Sequence, residues 1–342
     1  MARLLLARGA EVDQIGTNDV SPLYLASQNG HAEVAELLLD NGADVNLSNG
    51  TSALFIACQR GHVDVARVLL SYAADVHMTN IHEIAPLYIA SQRGQVDLVT
   101  LLLDHGADVH HSDKAKASSL HVATEYDRLL VVRLLISRGA DVNQMSDVDA
   151  SPLYIASQNG FVDLAALLLE NGANVGLATI HGTSPLFIAS QKGHVEIARL
   201  LLSYGADVNQ AKNSGASPLY IACETGHASV ARLLISHAAD INNNKRGSIS
   251  PLAVASYHGH VDIVRLLVAH GADTHTDSSG KTPADVARLR GHDAVVRALT
   301  PSVLDVLLAS AADDHLGLVV WEELRTTRRC PRCTRRRPLS RK

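Results

Sequence analysis

The sequence predicts an all-α helical solenoid, and three observations carry that prediction. The first is a period. The residue that opens each first helix falls at Pro22, Ala53, Pro86, Ser119, Pro152, Pro185, Pro218, Pro251 and Pro283, in steps of 31, then 33 six times, then 32. A fixed period of that length means an array of stacked units. The second is punctuation, with Ser-Pro at helix starts and Gly at helix ends. The third is composition: 46% apolar residues with only 4% aromatic. That balance suits a continuous core of Leu, Ile, Val and Ala, with neighbouring helices roughly 8–10 Å apart. Two globular domains would be the default for 342 residues. Repeat units that contact only their neighbours instead make one elongated domain.

Residues 184–209 show the unit most plainly. Ser184 is an N-cap and Pro185 a first helical residue whose missing N–H would have had no partner. A short helix runs to Gly193, which ends it at positive φ. His194 opens a second helix, with Val195, Ala198, Leu201 and Leu202 on one stripe, and Gly205 stops it. Ala206-Asp207-Val208-Asn209 then leaves in extended form toward a turn. Residues 151–176 and 217–242 repeat the pattern at offsets of 33.

These blocks resemble the ankyrin repeat, with its Thr-Pro-Leu-His-x-Ala, Gly-His, Leu-Leu and Gly-Ala-Asp-Val-Asn stretches in order over about residues 1–300. The resemblance implies an ankyrin-repeat solenoid of nine units plus a partial leading one. One departure is systematic. The family's His after Pro-Leu is Tyr24, Phe55, Tyr88, Tyr154, Phe187 and Tyr220 here, and only His121 keeps it. The packing role carries over to the aromatic rings, and the hydrogen bond does not.

In chain order, residues 1–16 read as the second helix of a repeat whose first helix is absent. The run of three leucines between arginines is too short for a signal peptide. The helix either frays or belongs to a longer array, and the second reading is favoured. Residues 17–301 form the array, the last unit acting as a cap. Repeats one to three (about 17–113) are regular, with Asn49-Gly50 marking a tight turn in a shortened repeat two. Repeat four (about 114–146) is the outlier. It reads Ser118-Ser119-Leu120-His121 without Pro, and it has Asp127-Arg128 where its neighbours have Gly-His. Asp is less comfortable than Gly at such a helix end, so the array is expected to open there first. Drift in a redundant array explains the outlier without a specialised role. Repeats five to eight (147–279) return to the pattern, and repeat nine begins at Gly280-Lys281-Thr282-Pro283. Residues 302–324 are expected to add a helical extension, and residues 325–342 a disordered basic tail.

That tail holds nine basic residues and no acidic one. It leaves 21 of the 30 basic residues against all 35 acidic ones in the rest of the chain, a net of −14. The tail could serve as an import signal or a nucleic-acid patch. No aromatic lies between Arg325 and Lys342 to stack on bases, which argues against nucleic acid. No stretch approaches the ~18 apolar residues of a membrane span. The expected compartment is the cytoplasm, with the nucleus as the alternative.

Cys58 and Cys223 occupy the same repeat position five units apart, so they read as small packed residues that cannot bridge. Cys330-Pro331-Arg332-Cys333 is, by its spacing, one half of a zinc knuckle. Structural zinc wants four ligands, and the nearest upstream candidate, His315, is single and distant. Of eighteen histidines, His31, His62, His194, His227, His260 and His292 occupy the Gly-His position, which the resemblance makes structural. His77, His110 and His275 align with Asn46, Asn143 and Asn209 at the tip of the extended arm. They read as solvated turn residues, because no acidic or Cys partner stands at ligand spacing. No cofactor or metal site is expected. The sequence also lacks a phosphate-binding Gly-Lys-Ser/Thr loop, a His-Glu-x-x-His and a Gly-x-Ser-x-Gly, so no enzyme is expected.

The informative positions are the ends of the first helices. The resemblance implies that partners are bound there and by the turn tips. The second of two variable positions reads Asn29, Arg60, Arg93, Tyr126, Asn159, Lys192, Thr225, His258 and Arg290, none of them acidic. The first reads Gln28, Gln59, Gln92, Glu125, Gln158, Gln191, Glu224, Tyr257 and Leu289. Acids such as Glu33, Glu36, Asp64, Asp97, Asp163, Glu196 and Asp262 lie on the second helices instead. Basic ends would also arise simply from complementing the helix dipole. The expected function is non-enzymatic protein binding in a groove, by Arg60, Arg93, Tyr126, Lys192, Tyr257, His258 and Arg290. The expected partner presents an acidic extended segment. The alternatives are a nuclear or nucleic-acid-associated regulator using the tail, and an adaptor that recruits a second protein through residues 303–342.

Overall fold

Helix starts follow the chemistry of the cap. Ser21, Ser52, Ser151, Ser184 and Ser217 each accept the N–H of the third residue on, at 3.1–3.2 Å. Each satisfies a donor that the first helical turn leaves unpaired. The computed structural model of the chain describes residues 2–16, 20–48, 50–243, 249–275 and 280–300. The expected helical extension, the basic tail and the residues Cys330, Cys333 and His315 lie outside the described residues.

The described residues hold nineteen helices and no strand, and Ser112 and Ser118 form an isolated bridge. α1 (Ala2–Ala7) precedes nine pairs. Repeats one to three contribute α2 (Pro22–Gln28) and α3 (Ala32–Asp40), α4 (Ala53–Arg60) and α5 (Val63–Ser71), then α6 (Pro86–Arg93) and α7 (Val96–Asp104). Repeats four to six give α8 (Ser119–Glu125) and α9 (Leu129–Ser137), α10 (Pro152–Asn159) and α11 (Val162–Glu170), then α12 (Pro185–Lys192) and α13 (Val195–Ser203). Repeats seven to nine give α14 (Pro218–Thr225) and α15 (Ala228–Ser236), α16 (Pro251–His258) and α17 (Val261–Ala269), then α18 (Pro283–Arg290) and α19 (Asp293–Leu299). The chain divides into two compact bodies, residues 1–251 and residues from Leu252 onward.

In the first body each first helix packs on the next first helix, from α2 on α4 through to α12 on α14, and the second helices stack likewise from α3 to α15. Within the second body α19 packs on both α17 and α18. The repeat period becomes columns of identical side chains. Leu69, Leu102, Leu135, Leu168, Leu201 and Leu234 have no exposed surface, and burying each stabilises the fold by about 1.5–3 kcal/mol. Beside them Ala57, Ala90, Ala123, Ala156, Ala189 and Ala222 are also fully buried. Their small size lets first helices approach closely.

A third column explains the cysteines. Cys58 and Cys223 are fully buried in line with Ser27, Ser91, Thr124, Ser157 and Ser190. Ser157 and Ser190 donate to the carbonyls of Leu153 and Leu186, four residues back, at 2.7 Å. The position admits only a small side chain, and both thiols are free. Tyr220, Phe55 and Phe187, standing where the resemblance expects His, are buried at 2%, 4% and 1% exposure, so the packing role does carry over.

Second helices end in a repeated double bond: in repeat one Gly42 N–H reaches the Leu39 carbonyl and Ala43 N–H the Leu38 carbonyl, both at 3.0 Å. The stop residue must adopt positive φ. It is Gly in repeats one, three to six and eight, but Ala73 and Ala238 hold φ 59° and 62° in repeats two and seven. Beyond the stop the arm bends at once. Asp44, Asp75, Asp108, Asp141 and Asp207 each accept the N–H two residues on, at 2.8–2.9 Å, which closes a turn at the tip.

Candidate partner-binding surface

The ends of the first helices are built by contacts between repeats. Gly61, Gly94, Gly160 and Gly193 stop their helices at φ 75–84°. Where a histidine follows the stop, it reaches back to the preceding repeat, as after Gly61, Gly193 and Gly226. His62 donates from Nε2 to the Gln28 carbonyl at 3.2 Å, His194 to Gln158 and His227 to Gln191 at 3.1 Å. In the second body His292 donates to the Tyr257 carbonyl at 3.0 Å. A Cβ on Gly30, Gly160 or Gly193 would come within 2.5–2.8 Å of the next repeat's imidazole. Glycine is therefore needed there twice, for its φ and for the ring that lies against it.

Repeat four solves the same problem with other side chains. Arg128, in the place of the imidazole, donates from Nε to the Gln92 carbonyl at 3.0 Å. Asp127 takes φ 56° in the place of Gly, and the next repeat's Gly-His position holds Phe161 rather than His. His121, 2% exposed, accepts the Ser118 N–H at Nδ1 (3.2 Å) and donates from Nε2 to the Ala150 carbonyl one repeat on (3.1 Å). These two bonds fix the neutral ring with its proton on Nε2. Burial pushes the pKa of this imidazole down, against weaker upward pulls from its carbonyl partners. Asp127 keeps the strained conformation that the sequence reading expected, while Arg128 restores the inter-repeat bond that the imidazole makes elsewhere.

The seven sequence candidates fall into two sets. In the first body Arg60, Arg93 and Lys192 occupy the last turns of α4, α6 and α12, and all three are exposed. Each faces the negative end of its helix dipole. Among the described residues no ion pair engages them. Tyr126 caps the C-terminus of α8 and is 46% exposed. In the second body the remaining three come together. The Arg290 guanidinium carbon lies 3.9 Å from the centroid of the Tyr257 ring, a cation–π contact. His258 meets the same ring edge-on at 5.0 Å and stacks on His260 at 5.9 Å. One face of Tyr257 is thus already occupied by a cation of the same chain. The acids Glu33, Glu36, Asp64, Asp97, Asp163 and Glu196 are exposed on second helices.

Between repeats four and six a hollow of about 720 Å³ opens on the first-helix side. It is lined by α8, α10 and the arm segments around 115–117, 146–150 and 179–183, and by no residue of a second helix. His121 lies in its wall, with Glu125, Tyr126, Asp147, Val148, Tyr154 and His181 around it. Burial pushes the Tyr154 phenol up, so it stays neutral at physiological pH. Asp147, Val148, Tyr154 and His181 were not legible as site residues. Three lie on turn tips outside the repeat's fixed positions, and Tyr154 belongs to a column that reads as packing.

Among the described residues no group of three or more His, Cys, Asp or Glu could hold a metal ion. Among them, too, no helix is long and apolar enough to cross a membrane. A family model described as ankyrin repeats (3 copies) matches residues 1–80, 74–146, 153–245 and 241–308. The crystal structure of the human ASB11 ankyrin repeat domain superposes with a TM-score of 0.59 at 26% identity, covering 64% of this chain and all of that one. No curated protein matches the sequence.

Proposed function

This chain belongs to the ankyrin-repeat family, whose repeats are in general protein–protein interaction modules, and we propose that it is a non-enzymatic scaffold binding an acidic, extended segment of a partner protein. The observation that carries the reading is the row Arg60, Arg93 and Lys192, exposed at equivalent helix ends of a chain whose array is acidic overall. Tyr126 stands in the same row, and Arg290 with Tyr257 forms a comparable pair in the second body. Arg and aromatic side chains are the usual energetic anchors of interfaces. Repeats spaced roughly 10 Å apart match about three residues of extended chain at ~3.3 Å each. Exposed cations of this kind steer an acidic partner, and that steering weakens with salt over about 8 Å at physiological ionic strength.

The test is a crosslinking pull-down with intact chain, with Arg60→Glu/Arg93→Glu/Lys192→Glu, and with the control Glu33→Lys/Asp64→Lys/Asp163→Lys. The groove set should lose the captured partner at unchanged thermal stability, and the control should keep it. Loss in the control alone would place the partner on the second helices. Nine basic residues in 325–342 motivate the competing nucleic-acid reading. Deleting that segment should abolish nucleic-acid binding if that reading holds, and spare the protein partner.

A further inference from the structure

Repeat four departs from its neighbours at two adjacent positions, and both departures move charge the same way. Where repeats two, three and six carry Arg60, Arg93 and Lys192, it carries Tyr126; where five other repeats carry Gln, it carries Glu125. Both side chains line the 720 Å³ hollow, which also receives Asp147 from the next arm. Glu125 and Asp147 are exposed, and the lining contains no Lys or Arg. Among the cations of repeat four next to this lining, Lys116 stands between Ala115 and Ala117, is exposed and does not itself line the hollow, and the other two are engaged elsewhere. Arg128 donates to the Gln92 carbonyl, and Lys114 donates from Nζ to the Ile81 carbonyl at 2.8 Å, each one repeat back. His121 is committed to Ser118 and Ala150, so it shapes the wall without offering a free nitrogen. What remains for a ligand is two carboxylates beside the half-exposed ring of Tyr126 and the phenol of Tyr154, in a space the size of an ordinary ligand pocket. Carboxylate plus aromatic face is the chemistry that holds an alkylammonium or guanidinium.

We propose that this hollow receives an arginine or lysine side chain of the bound polypeptide, making repeat four the point where an otherwise acid-seeking surface selects a cation. The proposal rests on the reading that the first-helix ends bind a polypeptide. It adds that the partner segment carries a basic residue within reach of its acidic stretch.

The probes are a hexa-arginine and a hexa-glutamate peptide, each bearing a benzophenone for photocrosslinking, used with the full chain at physiological salt. Hexa-arginine should crosslink within residues 115–183. The exchange Glu125→Gln/Asp147→Asn should weaken its binding by about tenfold, roughly what two exposed charge contacts supply. Arg60→Glu/Arg93→Glu should leave it bound, and Tyr126→Arg should weaken it. Unchanged hexa-arginine affinity in Glu125→Gln/Asp147→Asn, or crosslinks confined to the second helices, would overturn the assignment. Hexa-glutamate tests the other reading separately: it should depend on Arg60 and Arg93, and its failure to bind would sink the acidic-segment reading while leaving the hexa-arginine result to stand.

Discussion

Arg128 donates its Nε–H to the main-chain carbonyl of Gln92 across 3.0 Å, the bond that an imidazole makes between the regular repeats. Removing one partner of a part-buried charged hydrogen bond costs about 1–3 kcal/mol. Arg128→Ala should therefore lower stability by about 1–2 kcal/mol, and Arg128→His should be close to neutral. Urea denaturation of both variants measures the difference. Amide exchange in repeat four should be no faster than in repeats three and five. Early exchange confined to 112–130 would show that these bonds do not compensate for Asp127.

Ala73, Ala238 and Asp127 hold φ of 59°, 62° and 56°, a region that favours glycine. The glycines equivalent to the two alanines, Gly42, Gly106, Gly139, Gly172 and Gly205, have open space where a Cβ would sit, so the strain at the alanines is one of backbone conformation and not of contact. Ala73→Gly and Ala238→Gly should each stabilise by about 0.5–1 kcal/mol, the relief exceeding the entropy that glycine adds to the unfolded chain. Asp127→Gly should gain less, because Asp tolerates this conformation better. Paired thermal melts decide it; destabilisation in all three would contradict the strain argument.

His121 is buried with its pKa held down by the loss of solvent. Below the ordinary histidine value of 6.5 the unfolded chain takes up a proton that the folded chain resists. The stability contributed by the neutral ring is thus present above pH 6.5 and lost as pH falls toward the depressed folded value. Replacing it with the tyrosine its neighbours use, His121→Tyr, should flatten the loss of stability between pH 7 and pH 5. Denaturant midpoints for both proteins at the two pH values give the double difference. An equal loss in both would remove His121 as the source.

Burial pushes the Cys58 thiol up from 9.0 to about 12 and the Cys223 thiol up as well. Neither should react with a thiol reagent at pH 8 in the folded chain, and both should react on unfolding. A raised folded value means that stability is intact below pH 9 and falls as pH rises from there toward 12. Cys58→Ser and Cys223→Ser should stay within about 1 kcal/mol of the parent, since a serine hydroxyl can reach the carbonyl four residues back as Ser157 does. Rapid labelling of either cysteine in the native state would contradict the burial.

The sequence alone determined the repeat, its period, the helix pairs and the stops at Gly61 or Gly193, because caps, proline at N1 and glycine at positive φ act within a few residues of chain. It also marked which sequence positions vary, and hence the candidates from Arg60 to Arg290. The tertiary structure decided what each varied residue meets. His62 finds its acceptor 34 residues away and His194 finds one 36 away, so the replacement of His by Arg128 reads as drift until the Gln92 carbonyl is seen beside it. Likewise Glu125, Asp147 and His181 come from three different repeats and share one hollow only once α8 and α10 are stacked. Local backbone preferences are written residue by residue, whereas a site made from turn tips one period apart exists only after packing sets the distance between repeats.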